Sequence, residues 1–428
     1  MRIAVIGLGK IGLPLAVQYA GLGHSVVGAD INPDVVALVK DGREPFPGEH
    51  DLARRLTLAA ESGVLQATVS TEDAVARSDA VVVAVPVIIG SGGEPDFSFM
   101  DGAVKAIGGA VHAGTLVCFE TTVPIGTTRN RFSPAIEHRS GLVEGRDLFT
   151  VFSPERVLTG RVFSDLRRYP KLVGGLTPTG AARGCAFYES VLEFDPRPDL
   201  PRPNGVWDLG SAEAAEFAKL AETTYRDVNI ALANTYAAYA ESQGIDVYAV
   251  IEACNSQPYS HIHQPGVAVG GHCIPVYPHL YLSNDPTADL VRTARAVNDA
   301  VPARVVERLS TEIAGLAGKT VAVLGAAYRG GVKETAFSGV FPLVEALVDH
   351  GARAVVHDPL FSDEELLGLG LTAFHAGEPA DAAIVQATHA DYQDWGPDQV
   401  PGITCLIDGR AWTDPVRWPG VRHLVIGR

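Results

Sequence analysis

The first thirty residues run through a strand-like segment, a glycine string, an apolar helical period and a second strand-like segment ending at Asp30: "RIAVIGLGKIGLPLA…SVVGAD". This order restricts the fold more than any other stretch. Gly7 allows a tight turn after the first strand, Gly9 lets backbone N–H groups come close to a pyrophosphate, and Gly12 permits close helix–sheet packing. Lys10 and Ile11 lie inside the same loop. Asp30 can accept hydrogen bonds from ribose hydroxyls, and its charge repels a 2′-phosphate, so the pattern points to NAD rather than NADP. Glycines alone would also suit a plain helix-entry turn. Strand, turn, helix, second strand and acidic strand end together select dinucleotide binding.

Further short Val/Ile-rich runs, "DAVVVAVPV", "TLVCFETTV" and "FTVFSPE", alternate with helical periods up to about residue 200. Such runs are the mark of a parallel sheet covered on both faces. "PRPDLPRPNG" (196–205) is dense in proline and glycine and reads as a domain boundary. From Ser211 to about Gln243 there is neither Pro nor Gly, the composition is rich in Ala, Leu and Glu, and Gly244 follows, which predicts one long helix with a Ser start and a Gly stop. Its alanines allow close approach of a second backbone. At 319 the α/β pattern resumes with "KTVAVLGAAY", "ARAVVHDP", "DAAIVQATH" and "ITCLIDGR", read as four more parallel strands; "VIGLGKIG" returns only as "VLGAAYRG". The expected fold is α/β: two Rossmann-like doubly wound parallel-sheet domains joined by a central long-helix region. The expected spans are 1–200 (NAD binding), 201–302 (central helical dimerisation region) and 303–428 (a second Rossmann-like domain).

A formal charge of −16 opposes non-specific attraction to nucleic acid or anionic lipid, so no such partner is expected and an anionic ligand must be held by local donors. No run of about eighteen uninterrupted apolar residues suggests a membrane span. Five widely spaced cysteines without a C-x-x-C suggest reduced thiols and a cytoplasmic protein. No metal is expected, although His261 and His263 form an H-x-H pair.

Two residues stand out for chemistry. Only seven of 34 cationic residues are lysine, and Lys219 lies inside the long helix with Thr223 and Arg226 at i+4 and i+7. A solvated surface lysine is the ordinary alternative. Cys273, in "GGHCIPVYP", is either a small buried filler or a nucleophile whose thiolate is favoured by open N–H groups of Gly270 and Gly271 and by a nearby ammonium.

The segments "GLGKIGLPLA", "ETTVPIGTT", "SPERVLTG", "AEFAKLAETTYRDVNIALAN", "GGHCIPVYP", "ARAVNDAVP" and "VAVLGAAYRGGVKETAFSG" together resemble the UDP-glucose/GDP-mannose/UDP-N-acetylmannosamine dehydrogenase family over essentially the whole chain. The Gly-Gly-His-Cys and Arg-Asp-Val-Asn wording is closer to its N-acetylhexosamine branch. The resemblance implies NAD-dependent oxidation of a sugar C6 alcohol to the uronic acid in two hydride transfers. Cys273 would add to the intermediate aldehyde, Lys219 would stabilise oxyanions, Thr122 would position water, and Glu155 would stand near the reacting carbon. Pro86 and Thr121 would join the cofactor site. Arg226, Asn229, Gly270, Gly271, Arg329 and Arg410 would contact the sugar nucleotide, together with Thr223 and Tyr277. It also implies a homodimer through the 211–243 helix and a cytoplasmic role in glycan synthesis.

Four departures accompany the resemblance. Tyr277 stands where the family has an aspartate, Thr223 where it has an asparagine, and Tyr259 and Ala336 where it has arginines. A phenol with pKa near ~10 cannot serve as a base at neutral pH, which leaves His272 and Glu155 as candidate bases. Two other expectations are therefore kept: a single oxidation or an atypical sugar nucleotide, and a catalytically silent nucleotide-binding protein. A thiol-free relative of the hydroxyacid dehydrogenases would not need the C-terminal α/β half.

Overall fold

The structure, a computed structural model, describes residues 1–90 and 92–428. The chain divides into two compact units: Met1–Ala221 with His279–Asn284, and Glu222–Pro278 with Asp285–Arg428.

The first unit is built on eight strands: β1 (Arg2–Ile6), β2 (Ser25–Ala29), β3 (Leu65–Thr68), β4 (Ala80–Val83), β7 (Leu116–Phe119), β8 (Phe149–Phe152), β9 (Lys171–Gly175) and β10 (Val206–Asp208), with a small hairpin of β5 (Ile88–Ile89) and β6 (Pro95–Asp96) outside the sheet. The order is β10-β9-β8-β7-β4-β1-β2-β3. Alternate residues feed two cores. Ile3, Val5, Val82, Cys118 and Val151 face one, while Ala4, Ile6, Val81, Val83, Val117 and Phe119 face the other. Both faces are covered, which explains the uninterrupted apolar runs.

The sheet is not wholly parallel, contrary to expectation. β9 runs antiparallel to β8, and β10 runs parallel to β9. The connection 153–170, which contains the helix Val162–Arg168, is long enough to return in either direction, so its length does not decide how β9 pairs. β10 also follows the proline-rich stretch 196–205, so the sheet continues past it. β3 and β10 lack the Val/Ile density that marks the other strands.

The second unit holds a five-stranded, all-parallel sheet: β11 (Thr320–Leu324), β12 (Arg353–His357), β13 (Ala382–Val385), β14 (Cys405–Asp408) and β15 (Arg422–Val425), ordered β12-β11-β13-β14-β15. Four of these match the sequence expectation. β15 is an edge strand in "RHLV", too polar to announce itself. Val321, Val323, Ile384 and Ile407 face one core, and Ala322, Leu324, Val385 and Leu406 the other.

The predicted long helix is present as Ala212–Gln243. Ser211 Oγ accepts the Ala214 N–H at 3.2 Å, and Gly244 adopts φ +64°, the left-handed stop that glycine takes without steric cost. Among the described residues no helix is long and apolar enough to cross a membrane.

In the second unit the helix is tied to its neighbours by a buried polar network. Asp227 pairs with Arg295 and accepts from Asn298 Nδ2 at 2.8 Å; Asn298 Oδ1 accepts from Asn234 Nδ2 at 2.9 Å, and Asn234 Oδ1 accepts the Gly266 N–H at 3.0 Å. Asp227 and Arg295 are almost wholly buried. Removing one member of such a pair leaves the other charge uncompensated. Arg295→Met should therefore cost about 3–5 kcal/mol, read as a lower denaturant midpoint, and a loss below about 1 kcal/mol would contradict the role assigned to the network.

Candidate active site

In the first unit the chain order reverses on either side of β1, which lies between β2 and β4. Crevices beyond the C-terminal ends of strands at such a switch point are where open α/β sheets bind ligands. The Gly7–Gly12 loop leaves β1 there. Gly7 has φ +90° and donates its N–H to Ala29 O at 2.8 Å. A Cβ at Gly12 would overlap the Gly7 carbonyl oxygen, whereas nothing lies within 4 Å of where a Cβ on Gly9 would be. Gly12 is thus required by packing, and Gly9 by the open approach it leaves.

Ile11 precedes the helix Gly12–Gly21 without any side-chain cap, and no acidic residue occupies the helix's first turn. Leu13 donates its N–H to Gly9 O at 3.1 Å and Pro14 has none, so the positive dipole end of the helix is what remains for an anion. Asp30 accepts the Leu8 N–H at 2.8 Å through one oxygen and the Asn32 N–H at 2.9 Å through the other, which fixes the carboxylate at the end of β2. Lone pairs remain for ribose hydroxyls. These residues fit NAD: an open glycine approach, a helix N-terminus without a side-chain cap and an anchored acid. Thr121 closes the same edge, donating to Val85 O at 2.6 Å beside Pro86.

Thr122 is buried in the loop after β7. That loop is held by Glu216 of the long helix, which accepts the Gly126 N–H at 2.5 Å, the Thr128 N–H at 2.9 Å and the Thr128 hydroxyl at 2.7 Å. Lys219 lies on the same helix, buried one turn beyond Glu216, and its charge acts on Glu155. The exposed-lysine alternative is excluded.

Glu155 follows β8 and meets two residues that sequence reasoning missed. Lys171 Nζ lies 2.8 Å from Glu155 Oε2 and 2.7 Å from Glu120 Oε2, and Glu120 also accepts from Tyr188 OH at 2.7 Å. Burial works to raise Glu155, but the charge and hydrogen bond of Lys171 outweigh it and hold the carboxyl below its ordinary value. Burial prevails at Glu120 and pushes it up. Lysine scarcity, already used to single out Lys219, could have found Lys171 in "YPKLVGG".

In the second unit, Cys273 follows Gly270 and Gly271. The glycines are explained by packing rather than by open donors. A Cβ on Gly270 would come within 2.7 Å of Tyr328 Cβ and 2.9 Å of Phe337 O, and Gly271 has φ +96° with its N–H given to Ala336 O at 2.9 Å. The expectation of an open Gly271 N–H is corrected accordingly. Cys273 O accepts the Tyr277 N–H at 2.8 Å as the helix Tyr277–Asn284 begins. His272 is exposed, with Nε2 3.3 Å from Glu334.

Thr223 is buried, but Arg226 is exposed and does not share its surroundings. Asn229 commits its amide to the loop before Gly270: it donates to His261 O at 2.7 Å and accepts the His263 N–H at 2.9 Å. Arg329 follows β11, Nε 3.1 Å from the Tyr328 hydroxyl. Arg410 follows β14 and is turned inward, donating to Gln386 O at 2.8 Å and Ala268 O at 3.1 Å; burial lowers it to about 10, still cationic at neutral pH. It braces the loop that leads to Gly270 rather than standing free. Tyr259 is 93% exposed.

Three domain models of one family match the chain in order. The UDP-glucose/GDP-mannose dehydrogenase family's NAD binding domain matches residues 1–192, its central domain 213–300 and its UDP binding domain 322–415. A UDP-N-acetyl-D-mannosamine dehydrogenase of Pyrococcus horikoshii is 35% identical over 418 residues, covering 96% of this chain and 95% of that one. Among solved structures, a UDP-D-ManNAc dehydrogenase from the same organism matches with TM-score 0.88 at 32% identity over 100% of this chain and 99% of that one. A UDP-glucose dehydrogenase from Pyrobaculum islandicum matches with TM-score 0.86 at 26% identity, covering 99% and 97%. The similar scores mean that overall shape does not distinguish the sugar.

The glycine geometry separates binding from folding. Gly9→Ala should weaken NAD at least tenfold, about 1.4 kcal/mol, in a fluorescence titration while leaving the melting temperature unchanged. Gly12→Ala should lower both.

Proposed function

The chain belongs to the UDP-glucose/GDP-mannose dehydrogenase family and is an NAD-dependent nucleotide-sugar dehydrogenase, and from this we propose that it oxidises C6 of a UDP-N-acetylhexosamine to the carboxylate in two steps through Cys273. The relatives named for UDP-N-acetyl-D-mannosamine support this sugar class. The observation that carries the reading is the first unit's cluster: buried Lys219 acting on Glu155, with the Thr122 loop held by Glu216 of the same helix.

Gly7, Gly9, Gly12 and Asp30 would hold NAD, which would supply the hydride acceptor for each oxidation. In the first oxidation the hydroxyl proton leaves through a water positioned by Thr122, and an aldehyde results. The Cys273 thiolate then adds to C6. This step supplies the attached oxyanion that a bare aldehyde lacks, and it retains the intermediate. The Lys219 ammonium stabilises that oxyanion. Loss of the second hydride leaves a thioester. Water adds to its carbonyl, Glu155 accepts the water's proton, and the C–S bond breaks with its electron pair returning to sulfur. Exposed His272, paired with Glu334, is less suited to that proton than Glu155. Thr223 and Tyr277 offer a hydroxyl and a phenol where the family has an amide and a carboxylate, so Glu155 works without a second carboxylate from the Cys273 loop.

We assign the three spans 1–200, 201–302 and 303–428 to NAD binding, dimerisation and nucleotide-sugar binding, with Arg329 meeting the diphosphate. A homodimer through the long helix is supported by Tyr225, Leu232 and Tyr239, exposed at seven-residue spacing, with exposed Tyr236 four residues after Leu232 on the same face. Leu232→Asp with Tyr239→Asp should convert a dimer to a monomer by light scattering; a wild-type monomer sinks the assignment.

Incubated with UDP-N-acetyl-D-mannosamine, the enzyme should form two NADH per sugar and a product 14 mass units heavier, roughly the gain expected for CH2OH to COOH in a four-electron oxidation. One NADH with free aldehyde would instead support the single oxidation. Cys273→Ser should retain the first step and lower acid formation about 10³-fold or more; an unchanged acid yield removes the nucleophile from the mechanism.

A further inference from the structure

Lys171 is a buried cation that this chemistry does not use, and it touches a carboxylate that the chemistry needs. Its position follows from the strand reversal. β8 and β9 pair antiparallel with Phe152 opposite Gly174, and extending that register by three residues sets Glu155 opposite Lys171. Glu120, just beyond β7, completes the row. The ammonium lies between Glu120 Oε2 and Glu155 Oε2 at 2.7 and 2.8 Å and 4.8 Å from the centre of the Tyr188 ring. Lys171 is 4% exposed, Glu120 1% and Glu155 10%.

The other oxygens are also held. Glu120 Oε1 accepts from Tyr188 and from Tyr19, and Glu155 Oε1 accepts the Arg156 N–H at 2.7 Å. Glu155 is thereby restrained in ionisation and in direction. We propose that Lys171 is a positioning residue for Glu155, keeping that carboxylate ionised and aimed, with Glu120 as the second anchor of the ammonium. The proposal rests on the reading of Glu155 as the acceptor of the hydrolytic proton.

The surroundings leave few competing charges. Burial pushes Cys118, Tyr19 and Tyr188 well up, so they are neutral throughout the working range. Arg156 points its guanidinium to Pro170 O, and Asp165 is committed to the Leu158 N–H and Arg161. Lys219 is the other cation acting on Glu155. Burial lowers Lys171, but Glu120 and Glu155 outweigh it and hold it above its ordinary value, so it stays protonated. With one ammonium for two carboxylates, a falling pH protonates Glu120 first and Glu155 last. The base form of Glu155 is present above its depressed pKa and lost only below it. Removing Lys171 takes away the larger stabilisation and raises that threshold.

Two readouts test this on the full-length enzyme. The titration of [13Cδ]glutamate-labelled protein is followed by NMR, the Glu155 signal being assigned by its absence from Glu155→Gln. The decay of the acyl-enzyme formed from UDP-N-acetyl-D-mannosamine is followed by intact mass across pH. Lys171→Met should move the Glu155 titration and the acid limb of the decay upward together by about 1–2 pH units, and Lys171→Arg should return both. Glu120→Gln should abolish the earlier carboxylate step and leave the Glu155 step in place. If Lys171→Met does not fold, the double variant Glu120→Gln/Lys171→Met removes the stranded Glu120 charge and should show the same upward shift. A Glu155 titration unmoved by loss of Lys171 overturns the proposal. An acid limb that survives Glu155→Gln, while the titration still responds to Lys171, overturns the reading of Glu155 as the base and leaves the electrostatic coupling standing.

Discussion

A sheet buried on both faces spends most of its strand interiors on apolar packing, and this constraint puts most of the candidate polar positions just beyond the ends of strands. In both units alternate strand residues enter two separate cores, so each strand interior is spent on packing. Gly7–Gly12, Asp30, Thr121, Thr122 and Glu155 accordingly all follow strands of the first sheet. Arg329 and Arg410 follow strands of the second. The free ends of parallel strands supply the functional positions, and the packed faces keep them rigid.

The reversed strand β9 is the exception that completes the first unit. Had it run parallel to β8, its first residue would lie at the opposite edge of the sheet. Running antiparallel, it brings Lys171 to the edge where Glu120 and Glu155 emerge. Two buried carboxylates without a cation would be costly, and a lone buried ammonium equally so. The triad is stable because each member satisfies the others, and the partial exposure of Glu155 leaves one member available for chemistry.

The second unit uses the same economy of donors in its loops. Asn229, which resemblance would place against substrate, spends its amide on His261 and His263; Arg410 spends its guanidinium on Gln386 and Ala268. Both brace the segment leading to Gly270, Gly271 and Cys273. Gly270 and Gly271 are small because Tyr328 and Phe337 crowd them, and Gly271 has a positive φ. Shape, rather than open donors, explains that glycine pair.

Much of this was legible in the sequence because it depended on local rules. Glycine spacing after an apolar run, an acid at the end of the next, a helix from Ser211 to Gly244 and four of the five C-terminal strands all follow from near-neighbour sterics and hydrophobic period. β3, β10 and β15 were not legible, since short edge strands carry little apolar signal. Nor was β9, whose "KLVGG" holds only two large apolar residues, or its direction, because a strand reads the same from its composition whichever way it pairs. Local sequence thus determined the NAD loop, the long helix and the candidate cysteine and lysine. Tertiary structure alone decided that Lys171 meets Glu120 and Glu155, that Glu216 holds the Thr122 loop, and that Arg410 faces inward. Those pairings join residues 16 to 142 positions apart, and a chain's local preferences carry no information about which distant charge will be buried beside another.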